Sequence, residues 1–200
     1  WEDVDGGSLT LRPELTASVV RSYIQHSLGT LSPIQRLYYS GPLFRRERPQ
    51  KGRQRQFHQF GVEAFGSNNP EQDVEIIAIA WKILSLCGLA NDTTLNLNSI
   101  GSNECRNNYR TALKNYLSPY IKDFSKTSQH RFDTNPLRIL DTKSEKEQEI
   151  LSDAPKISAY HNKTDSTHFE SLKEILKDMD LPFYINHKLV RGLDYYTGTV

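Results

Sequence analysis

YYSGPLFRRERPQKGRQRQFHQFGVEAF, residues Tyr38–Phe65, is the stretch that decides the fold of this 200-residue chain. Its two ends alternate apolar and polar residues over short runs, which predicts the two half-buried strands of a hairpin. Gly41-Pro42 is expected to break the first strand before the loop. The loop over 45–55 holds six Arg or Lys residues and one acid, with Pro49 and Gly52 as turn residues. Such a loop favours a polyanionic ligand such as a triphosphate, and a solvated run of charge is the alternative.

The far strand of the hairpin is expected to carry a binding face. Gln59, Gly61 and Glu63 are spaced two apart, so they lie on one face of a strand. Phe57 opens this strand and offers an aromatic face on which a planar ligand stacks. Arg45 directly follows an apolar pair and therefore belongs to the end of the first strand rather than to the loop tip. An amide and a carboxylate beside a phosphate-binding loop predict a substrate site.

The composition is that of an ordinary soluble protein, with 36% hydrophobic and 24% charged residues and a net charge of +1. A net charge this small means that a phosphate or nucleic-acid partner has to meet local basic patches rather than a global field. No apolar run approaches the roughly 18 residues of a membrane span, so no membrane attachment is expected. No signal peptide is visible within these residues, and a missing N-terminus could hide one. The chain starts at Trp1 and stops at Val200 in an apolar run, which suggests a fragment of a longer protein.

Neither the cysteines nor the histidines are spaced as metal ligands. Cys87 and Cys105 have neither a metal-binding nor a redox spacing, which favours two reduced thiols in a cytosolic protein. The six histidines form no HxxH or HExxH pair, so we expect no zinc site.

The rest of the chain alternates short strands with amphipathic helices. The predicted elements on either side of the hairpin are a strand over Ser8–Arg12, a helix that starts at Pro13, a helix over Pro70–Leu86 and a strand over Thr93–Ile100. Glu14 and Thr16 fall in the first turn of the helix that starts at Pro13, where the helix dipole favours an acidic residue. That structural role is the alternative to a binding role for both residues.

Residues 103–180 are more polar and charged than the flanking sequence, and their apolar pattern is weaker. Helices are expected over Asn103–Leu117 and around Phe169–Met179, with a short strand over Pro136–Leu140. This segment is therefore predicted to be a mostly helical inserted module. Its charge density is compatible with contact to RNA, and a solvated helical surface is the alternative.

The chain is expected to return to β-structure after this module. Leu181–Asn186 has the pattern of a strand, and Arg191-Gly192 forms a turn. Tyr195 and Tyr196 open a final β-rich run. They either pack in the fold or line a pocket together with Arg191, supplying hydroxyl and guanidinium donors.

Three separated blocks of the chain form one pattern: LTLRPELTA at Leu9–Ala17, GPLFRRERPQKGRQRQFHQFGVEAFG at Gly41–Gly66 and LVRGLDYYTGTV at Leu189–Val200. Together they resemble the histidyl-tRNA synthetases, a family of class II aminoacyl-tRNA synthetases. The middle block is similar to class II motif 2, and the last is similar to the histidine-specific signature peptide. LNSIGS at Leu97–Ser102 and NPLRILD at Asn135–Asp141 are also similar to family sequences.

The resemblance implies an α+β fold, with an antiparallel β-sheet of class II synthetase type flanked by helices and a mostly helical insertion. On this basis 1–102 is the first part of the catalytic core, 103–180 is the insertion module and 181–200 is the second part of the core. Motif 1, motif 3 and the C-terminal anticodon-binding domain of the family are not found in these residues.

The activity implied by the resemblance is ATP-dependent activation of L-histidine to histidyl-adenylate, followed by transfer of histidine to tRNA(His). The enzyme is expected to be a cytoplasmic homodimer without membrane attachment. ATP is expected as a substrate that carries Mg²⁺ on its phosphates, and no metal ion is expected to be bound by the protein itself.

The resemblance also implies roles for individual residues. Arg45 and Arg191 are expected to be catalytic, with both guanidinium groups on the α-phosphate of ATP. The residues expected to bind ATP are Arg45, Glu47, Arg53 and Phe57. The residues expected to bind histidine are Glu14, Leu15, Thr16, Arg45, Gln59, Glu63, Arg191, Tyr195 and Tyr196. Leu15 stands where a Gly is common in the family, and we expect its side chain to point into the core.

A non-catalytic relative of these enzymes is the alternative function. One such relative is the regulatory subunit of ATP phosphoribosyltransferase, and another is a module that senses uncharged tRNA. Relatives of this kind usually lose the charged residues of motif 2 or the arginine of the signature peptide. The polar positions are all present in this chain, namely Arg45, Glu47, Gln59, Glu63 and Arg191.

Overall fold

The computed structural model describes residues 1–48, 50–192 and 196–200. They form two compact units, which we call the hairpin unit (1–68) and the helical unit (69–200). One is built around a pair of strands and the other mainly around helices, so the predicted α+β class is confirmed. The division of the chain at 102 and 180 stays a prediction. Within the described ranges, no helix is both long enough and apolar enough to span a bilayer.

The hairpin unit joins one helix to a pair of long strands. Helix α1 covers Thr16–Gln25, strand β1 covers Gln35–Phe44 and strand β2 covers Gln56–Phe65. The two strands pair antiparallel along their whole length, with Gly41 opposite Gln59. The predicted hairpin is therefore confirmed.

Strand β1 continues through Gly41-Pro42, so the expectation that this dipeptide breaks the strand is wrong. The backbone N–H of Phe44 donates to the carbonyl of Arg12 at 3.0 Å, on the edge of β1 that faces away from β2. Because backbone groups alternate along a strand, the nitrogen of Pro42 points to the same outer edge. The ladder with β2 therefore loses no hydrogen bond to the proline, as is usual where Pro occurs on an edge strand.

Helix α1 begins at Thr16 and not at the predicted Pro13. The two carboxylate oxygens of Glu14 accept the backbone N–H of Ala17 at 3.2 and 3.1 Å. A side-chain oxygen that accepts from a first-turn N–H stabilises a helix start in the way an N-cap does. Glu14 thus supports the helix from outside its first turn.

The predicted strand over Ser8–Arg12 is not formed. Ser8 makes only an isolated bridge to Glu2. Leu9 exchanges hydrogen bonds with Trp1, through its own N–H at 2.7 Å and through its carbonyl at 2.8 Å. The alternating sequence therefore closes a local loop with the preceding residues instead of joining a sheet.

The helical unit is organised around a series of α-helices. Its described helices are α2 at Pro70–Leu86, α3 at Asn103–Leu117, α4 at Lys126–Thr134, α5 at Glu145–Ile150 and α6 at Lys163–Asp178. Helices α2 and α3 have the bounds that the sequence predicts. Pro70 occupies the first turn of α2 together with Glu71 and Asp73, a combination that favours a helix start. Helix α6 begins with a capping box between Asn162 and Asp165.

A small sheet joins residues 96–101 to the C-terminal part of the helical unit. Strand β3 at Asn96–Leu97 pairs parallel with strand β4 at Tyr184–Ile185. Residues 198–200 run antiparallel to 98–101, with the N–H of Asn98 donating to the carbonyl of Val200 at 2.9 Å. The predicted strands over 93–100 and 181–186 are therefore present in shortened form.

Pro136–Asp141 forms a 3-10 helix, so the predicted short strand is wrong. A strand on a sheet surface buries every second side chain on one face. Here the adjacent residues Ile139 and Leu140 are both buried, as is Leu137. A helical turn lets these neighbouring side chains enter the core together.

Two apolar clusters form the core of the helical unit. The larger cluster surrounds α3 and includes Tyr109 and Leu113, and the smaller one joins Val74 of α2 to Leu172 of α6. Cys105 lies in the larger cluster as a free thiol, and burial, with a further contribution from Asp165, raises its pKa to about 11. A thiol with so high a pKa stays protonated and unreactive at neutral pH.

A buried carboxylate ties α4 and α5 together, and we call it and its partners the Glu147 cluster. Glu147 is 3% exposed and accepts hydrogen bonds from the hydroxyl of Thr142 at 2.5 Å and that of Ser128 at 2.7 Å. It also accepts the backbone N–H of Ser125 at 2.7 Å. Burial by itself raises the pKa of this carboxyl, but the hydrogen bonds outweigh burial and hold the pKa below its ordinary value. Glu147 is therefore ionised at neutral pH.

Candidate functional site

One face of the hairpin carries the polar residues expected at the site. The register places Gln59 opposite Gly41 and Glu63 opposite Leu37. Residues that pair across an antiparallel ladder share a face of the sheet. Phe57 starts the same face of β2, so we call this surface the 57–63 face. The prediction that Gln59 and Glu63 point to one side is confirmed.

Residues 12–16 lie along the hairpin and bring the first sequence block to this face. Arg12 donates through Nε to the carbonyl of Pro42 at 2.9 Å. At the other end of the segment, the hydroxyl of Thr16 donates to the Glu63 carboxylate at 2.6 Å, across 47 positions of sequence. The two blocks therefore meet in the folded unit through direct hydrogen bonds.

Arg45 is fixed at the base of the loop by three contacts. Its Nε donates to the carbonyl of Pro13 at 2.9 Å, and its backbone N–H donates to the carbonyl of Arg55 at 2.9 Å. Its guanidinium carbon lies 5.0 Å from the centroid of the Phe57 ring, within the range of a cation–π contact. Because Nε is anchored, the fork of terminal nitrogens has a defined orientation. Such a fork suits bidentate binding of a carboxylate or phosphate.

Glu47 and Arg53, both expected to bind ATP, form an ion pair with each other at 3.0 Å. The loop turns back between Gln50 and Arg53, with Gly52 at φ 81°, a conformation that favours glycine. The side chain of Glu47 is 26% exposed and that of Arg53 is 58% exposed, and an ion pair as exposed as this contributes little stability. Both groups can therefore exchange this contact for a charged ligand at small cost.

Tyr39 belongs to the candidate site, although no sequence pattern singles it out. Nε2 of Gln59 donates to the Tyr39 hydroxyl at 3.0 Å. The Tyr39 ring lies over Gly61, where a Cβ would overlap the ring. A glycine inside a strand often marks such a close approach. Gly61, placed between Gln59 and Glu63, is a sequence signal of a close approach, but it does not say which residue makes the approach.

Glu14 and Leu15 lie between the two anchored ends of the 12–16 segment. Glu14 is half-buried, with its carboxylate on the N-terminus of α1. Leu15 is also half-buried, and its Cδ1 lies 3.8 Å from the position that a Cβ would take on Gly41. The leucine therefore packs against the hairpin beside the residue that faces Gln59.

A groove of about 910 Å³ opens beside the base of the loop. Its lining includes the apolar residues Trp1, Leu9 and Leu11 and the arginines Arg45, Arg46 and Arg55. Apolar side chains next to several guanidinium groups suit a ligand that has a flat apolar part and a polyanionic part.

Arg191 and Tyr196 belong to the helical unit and contact each other. The guanidinium carbon of Arg191 lies 4.2 Å from the centroid of the Tyr196 ring. The carbonyl of Tyr196 accepts a hydrogen bond from the buried side chain of Arg106, which is also held by Asn103. Tyr195, the other predicted tyrosine, lies outside the described residues.

The predicted site residues therefore divide between the two units. Those in the hairpin unit are Glu14, Leu15, Thr16, Arg45, Glu47, Arg53, Phe57, Gln59 and Glu63. Direct contacts join Thr16 to Glu63, Arg45 to Phe57 and Glu47 to Arg53. Across the described ranges, no group of three or more His, Cys, Asp or Glu side chains is arranged to hold a metal ion.

Known proteins match this chain from end to end. The family model for histidyl-tRNA synthetase matches residues 1–200. The histidine--tRNA ligase of Protochlamydia amoebophila is 50% identical over 200 residues, which cover 100% of this chain and 47% of that protein. The histidine--tRNA ligase of Gloeothece citriformis is 51% identical over 199 residues, which cover 100% of this chain and 46% of that protein. The chain thus spans about half the length of these relatives.

A solved structure has the same fold. The crystal structure of apo S. aureus histidyl-tRNA synthetase matches with a TM-score of 0.75 and 40% sequence identity, over 98% of this chain and 46% of that one. The family model covers every residue, and relatives of 50% and 51% identity match the whole chain. This chain therefore belongs to the histidyl-tRNA synthetase family.

Proposed function

We propose that the protein containing this chain activates L-histidine with ATP, giving histidyl-adenylate and pyrophosphate, and then transfers histidine to tRNA(His). Family membership supports this function. The observation that carries it is the docking of residues 12–16 on the hairpin, through Thr16 on Glu63 and Arg45 on the carbonyl of Pro13. This docking collects carboxylate, hydroxyl and guanidinium groups around the 57–63 face, as a site for an amino acid and a nucleotide requires.

Arg45 and Arg191 would stabilise the charge that develops during activation. The histidine carboxylate forms a bond to the α-phosphorus while the bond to the pyrophosphate oxygen breaks. Negative charge accumulates on the oxygens of the α-phosphate, and a guanidinium group held in place neutralises it without rearranging. Arg45 already has its Nε anchored at 2.9 Å. Arg191 would contact the same phosphate and the substrate carboxylate.

Glu63 would define histidine as the substrate. An imidazole has two distinct nitrogens, so a carboxylate on one side and a phenol on the other distinguish it from other side chains. Thr16 donates to one Glu63 oxygen and leaves the other oxygen able to accept an imidazole N–H. Tyr195 and Tyr196 would supply the phenol.

The α-ammonium group of histidine would be held by residues around the start of α1. Glu14 has further acceptor positions besides those that cap the helix. The Thr16 hydroxyl gives its proton to Glu63 and can still accept one. Gln59, oriented by Tyr39, offers its amide oxygen. Leu15 would form the apolar wall of this pocket.

ATP would replace the contacts that the loop residues make with each other. Glu47 would accept a hydrogen bond from the amine edge of adenine, and Arg53 would bind the γ-phosphate, each giving up the 3.0 Å ion pair. Phe57 carries Arg45 on one face of its ring, and its other face would stack on adenine. Mg²⁺ would accompany the ATP phosphates, and no residue of this chain is assigned to it.

The partners follow from the proposed reaction and from the family. They are L-histidine, ATP and tRNA(His), and the intact protein is proposed to be a homodimer that works in the cytoplasm. Motif 1, motif 3 and the anticodon-binding domain would come from sequence that this chain does not contain. The experiment on this proposal therefore has to use the intact protein.

Histidine-dependent exchange of pyrophosphate into ATP, measured on the intact protein, tests the activity and both arginines. We expect exchange in the unmodified protein and a loss of about 10²- to 10³-fold in Arg45→Ala and in Arg191→Ala, the usual effect of removing one transition-state donor. Arg191→Ala should leave histidine binding largely intact. Arg21→Ala, which removes an exposed arginine from α1, is the charge-matched control and should stay within about twofold of the unmodified protein.

Two outcomes would contradict the proposal. Histidine binding without any exchange would identify a non-catalytic relative, such as a regulatory subunit of ATP phosphoribosyltransferase or a tRNA-sensing module. Exchange that is unchanged in Arg45→Ala or Arg191→Ala would disprove the role given to that arginine.

A further inference from the structure

A pocket in the helical unit combines positive charge with an apolar wall. It has a volume of about 340 Å³, within the range of small-ligand sites. The residues that bear or can take up positive charge are Lys156, His187 and Lys188. Tyr109, Leu140 and Ile185 contribute to the apolar wall. Among the described residues that line the pocket, none is Asp or Glu.

His187 is one of the residues that line this pocket, and one of its ring nitrogens has no hydrogen-bond partner among the described residues. Its Nδ1 is buried and has no hydrogen-bond partner in the part of the chain that the structure describes. Buried polar atoms almost always have a partner, so this nitrogen is an exception. The residue is held in position because its carbonyl accepts Nδ2 of Asn98 at 3.4 Å.

The charges around His187 favour an anion. Burial lowers the pKa of its imidazole, and the nearby Lys156 ammonium lowers it further. Lys188, the next residue, lies with its Nζ 3.5 Å from the carbonyl of Gln148. The Tyr109 hydroxyl is neutral, because burial and the neighbouring Tyr160 raise its pKa. A bound anion would offset the repulsion among these groups and would make protonation of His187 favourable.

We propose that this pocket binds the phosphate group of a nucleotide, with the phosphate between Lys156, Lys188 and His187 and the nucleoside on the apolar wall. A phosphate presents several oxygens, each of which can accept a hydrogen bond from a lysine or a protonated histidine. The side-chain amides of Asn96 and Asn186 also line the pocket and can bond to the polar edges of a nucleoside. None of these residues takes part in the proposed activation of histidine.

Calorimetric titration of the intact protein with uridine monophosphate tests the site, with uridine as the control for the phosphate. A pyrimidine nucleotide is used to limit binding at an adenine site. We expect uridine monophosphate to bind and uridine to bind at least tenfold more weakly. Binding should weaken at least tenfold in Lys156→Ala/Lys188→Ala, and it should be unchanged in Lys163→Ala and in Arg45→Ala.

His187 provides a second, independent measurement. Binding of uridine monophosphate should strengthen between pH 7.5 and about pH 6, with uptake of a proton that buffers of different ionisation enthalpy reveal. His187→Gln should reduce the proton uptake and leave only the pH dependence that comes from the nucleotide phosphate itself, whose second pKa is about 6. Its urea stability at pH 7.5 should stay close to that of the unmodified protein, so that a lost signal does not reflect unfolding.

Titration with a 5′-phosphorylated RNA tetranucleotide distinguishes two sources of the same chemistry. Affinity at least tenfold above that of uridine monophosphate, with the same dependence on the two lysines, would assign the site to RNA. Equal or weaker affinity would assign it to free nucleotides. The proposal is overturned if no nucleotide binds at millimolar concentration, if uridine binds equally well, or if Arg45→Ala weakens binding and Lys156→Ala/Lys188→Ala does not.

Discussion

Hydrogen bonds to neighbouring residues orient the polar side chains around the 57–63 face. Thr16 holds Glu63, Tyr39 holds Gln59, and the carbonyl of Pro13 holds Arg45. Pre-oriented groups of this kind bind a ligand without first losing side-chain freedom. Much of the site's order in the unbound protein therefore resides in individual partner residues.

Gly61→Ala should disturb the histidine site through Tyr39. The new Cβ would overlap the tyrosine ring, so the ring has to move and release the Gln59 amide. We expect a loss of about 1–3 kcal/mol in the free energy of unfolding, as for other overpacked positions. KM for histidine in pyrophosphate exchange should rise roughly tenfold, the equivalent of about 1.4 kcal/mol, with KM for ATP nearly unchanged.

The control for this variant is Gly7→Ala, because a Cβ at Gly7 would meet nothing within 4 Å. Urea denaturation and exchange kinetics of the two variants are compared. Equal behaviour of Gly61→Ala and Gly7→Ala would show that the contact between Tyr39 and Gly61 has no part in histidine binding.

Strand spacing is sufficient to predict that Gln59 and Glu63 share a face, because the two-residue period is local. The partner that orients Gln59 cannot be predicted from local spacing. Tyr39 reaches it only through the register of β1 against β2, which a single sequence does not specify. The roles of Glu14 and Thr16 likewise depend on how the 12–16 segment docks on the hairpin.

Elements with strong local signals were predictable, and those decided by burial were not. Pro70 and two acids in the first turn of α2 define where this helix begins without help from the rest of the fold. Pro136–Asp141 becomes a 3-10 helix because the adjacent side chains of Ile139 and Leu140 are both buried. Strand β1 passes through Pro42 because its nitrogen lies on the outer edge. Both outcomes depend on neighbours that are distant in sequence.

Glu147→Gln should loosen α4 and α5. The substitution keeps the size of the side chain but removes the charge that accepts from Thr142, Ser128 and Ser125. Hydrogen bonds to charged groups contribute about 1.5–3 kcal/mol, so we expect a loss of about 2 kcal/mol. Hydrogen exchange of the intact protein should show reduced protection in these two helices. Glu149→Gln, an exposed position on the same helix, is the control, and equal protection in both variants would contradict a stabilising role for Glu147.

For the protein as a whole, stability should fall in two stages as the pH decreases. The pKa of His187 lies below its ordinary 6.5 in the folded state, so the unfolded chain takes up a proton first as the pH passes 6.5. The pKa of Glu147 also lies below its ordinary 4.5 in the folded state, so the unfolded chain again takes up the proton first as the pH passes 4.5. In each stage the unfolded state binds more protons, which lowers the free energy of unfolding by at most about 1.4 kcal/mol per pH unit for each group.

His187→Gln should reduce the first stage. The stability of the unmodified protein and of the variant is measured by urea denaturation at pH 7.5 and 5.5, with hydrogen exchange within residues 96–200 as the readout. The difference between the two pH values should be smaller in the variant, because glutamine does not titrate. An equal or larger difference would show that His187 does not have a lowered pKa.

At the level of the whole molecule, the α+β class and the family could be predicted because three blocks of sequence match one pattern. The hairpin and the helices of the helical unit follow from periodicity. The packing of the helical unit does not follow from periodicity, because its small sheet joins residues 96–101 to residues near the other end of the chain. No local pattern specifies such a pairing.

That small sheet has a consequence for folding. The side chain of Asn98 bonds to the carbonyl of Leu189, 91 positions later, and β3 has no partner until β4 has been synthesised. Contacts of high sequence separation form slowly, because a long loop has to close before they are made. The intervening helices can form early from local contacts, so the segment with Arg191 and Tyr196 acquires its place late. A nascent chain that stalls before residue 184 would expose the unpaired edge of β3, where intermolecular pairing starts.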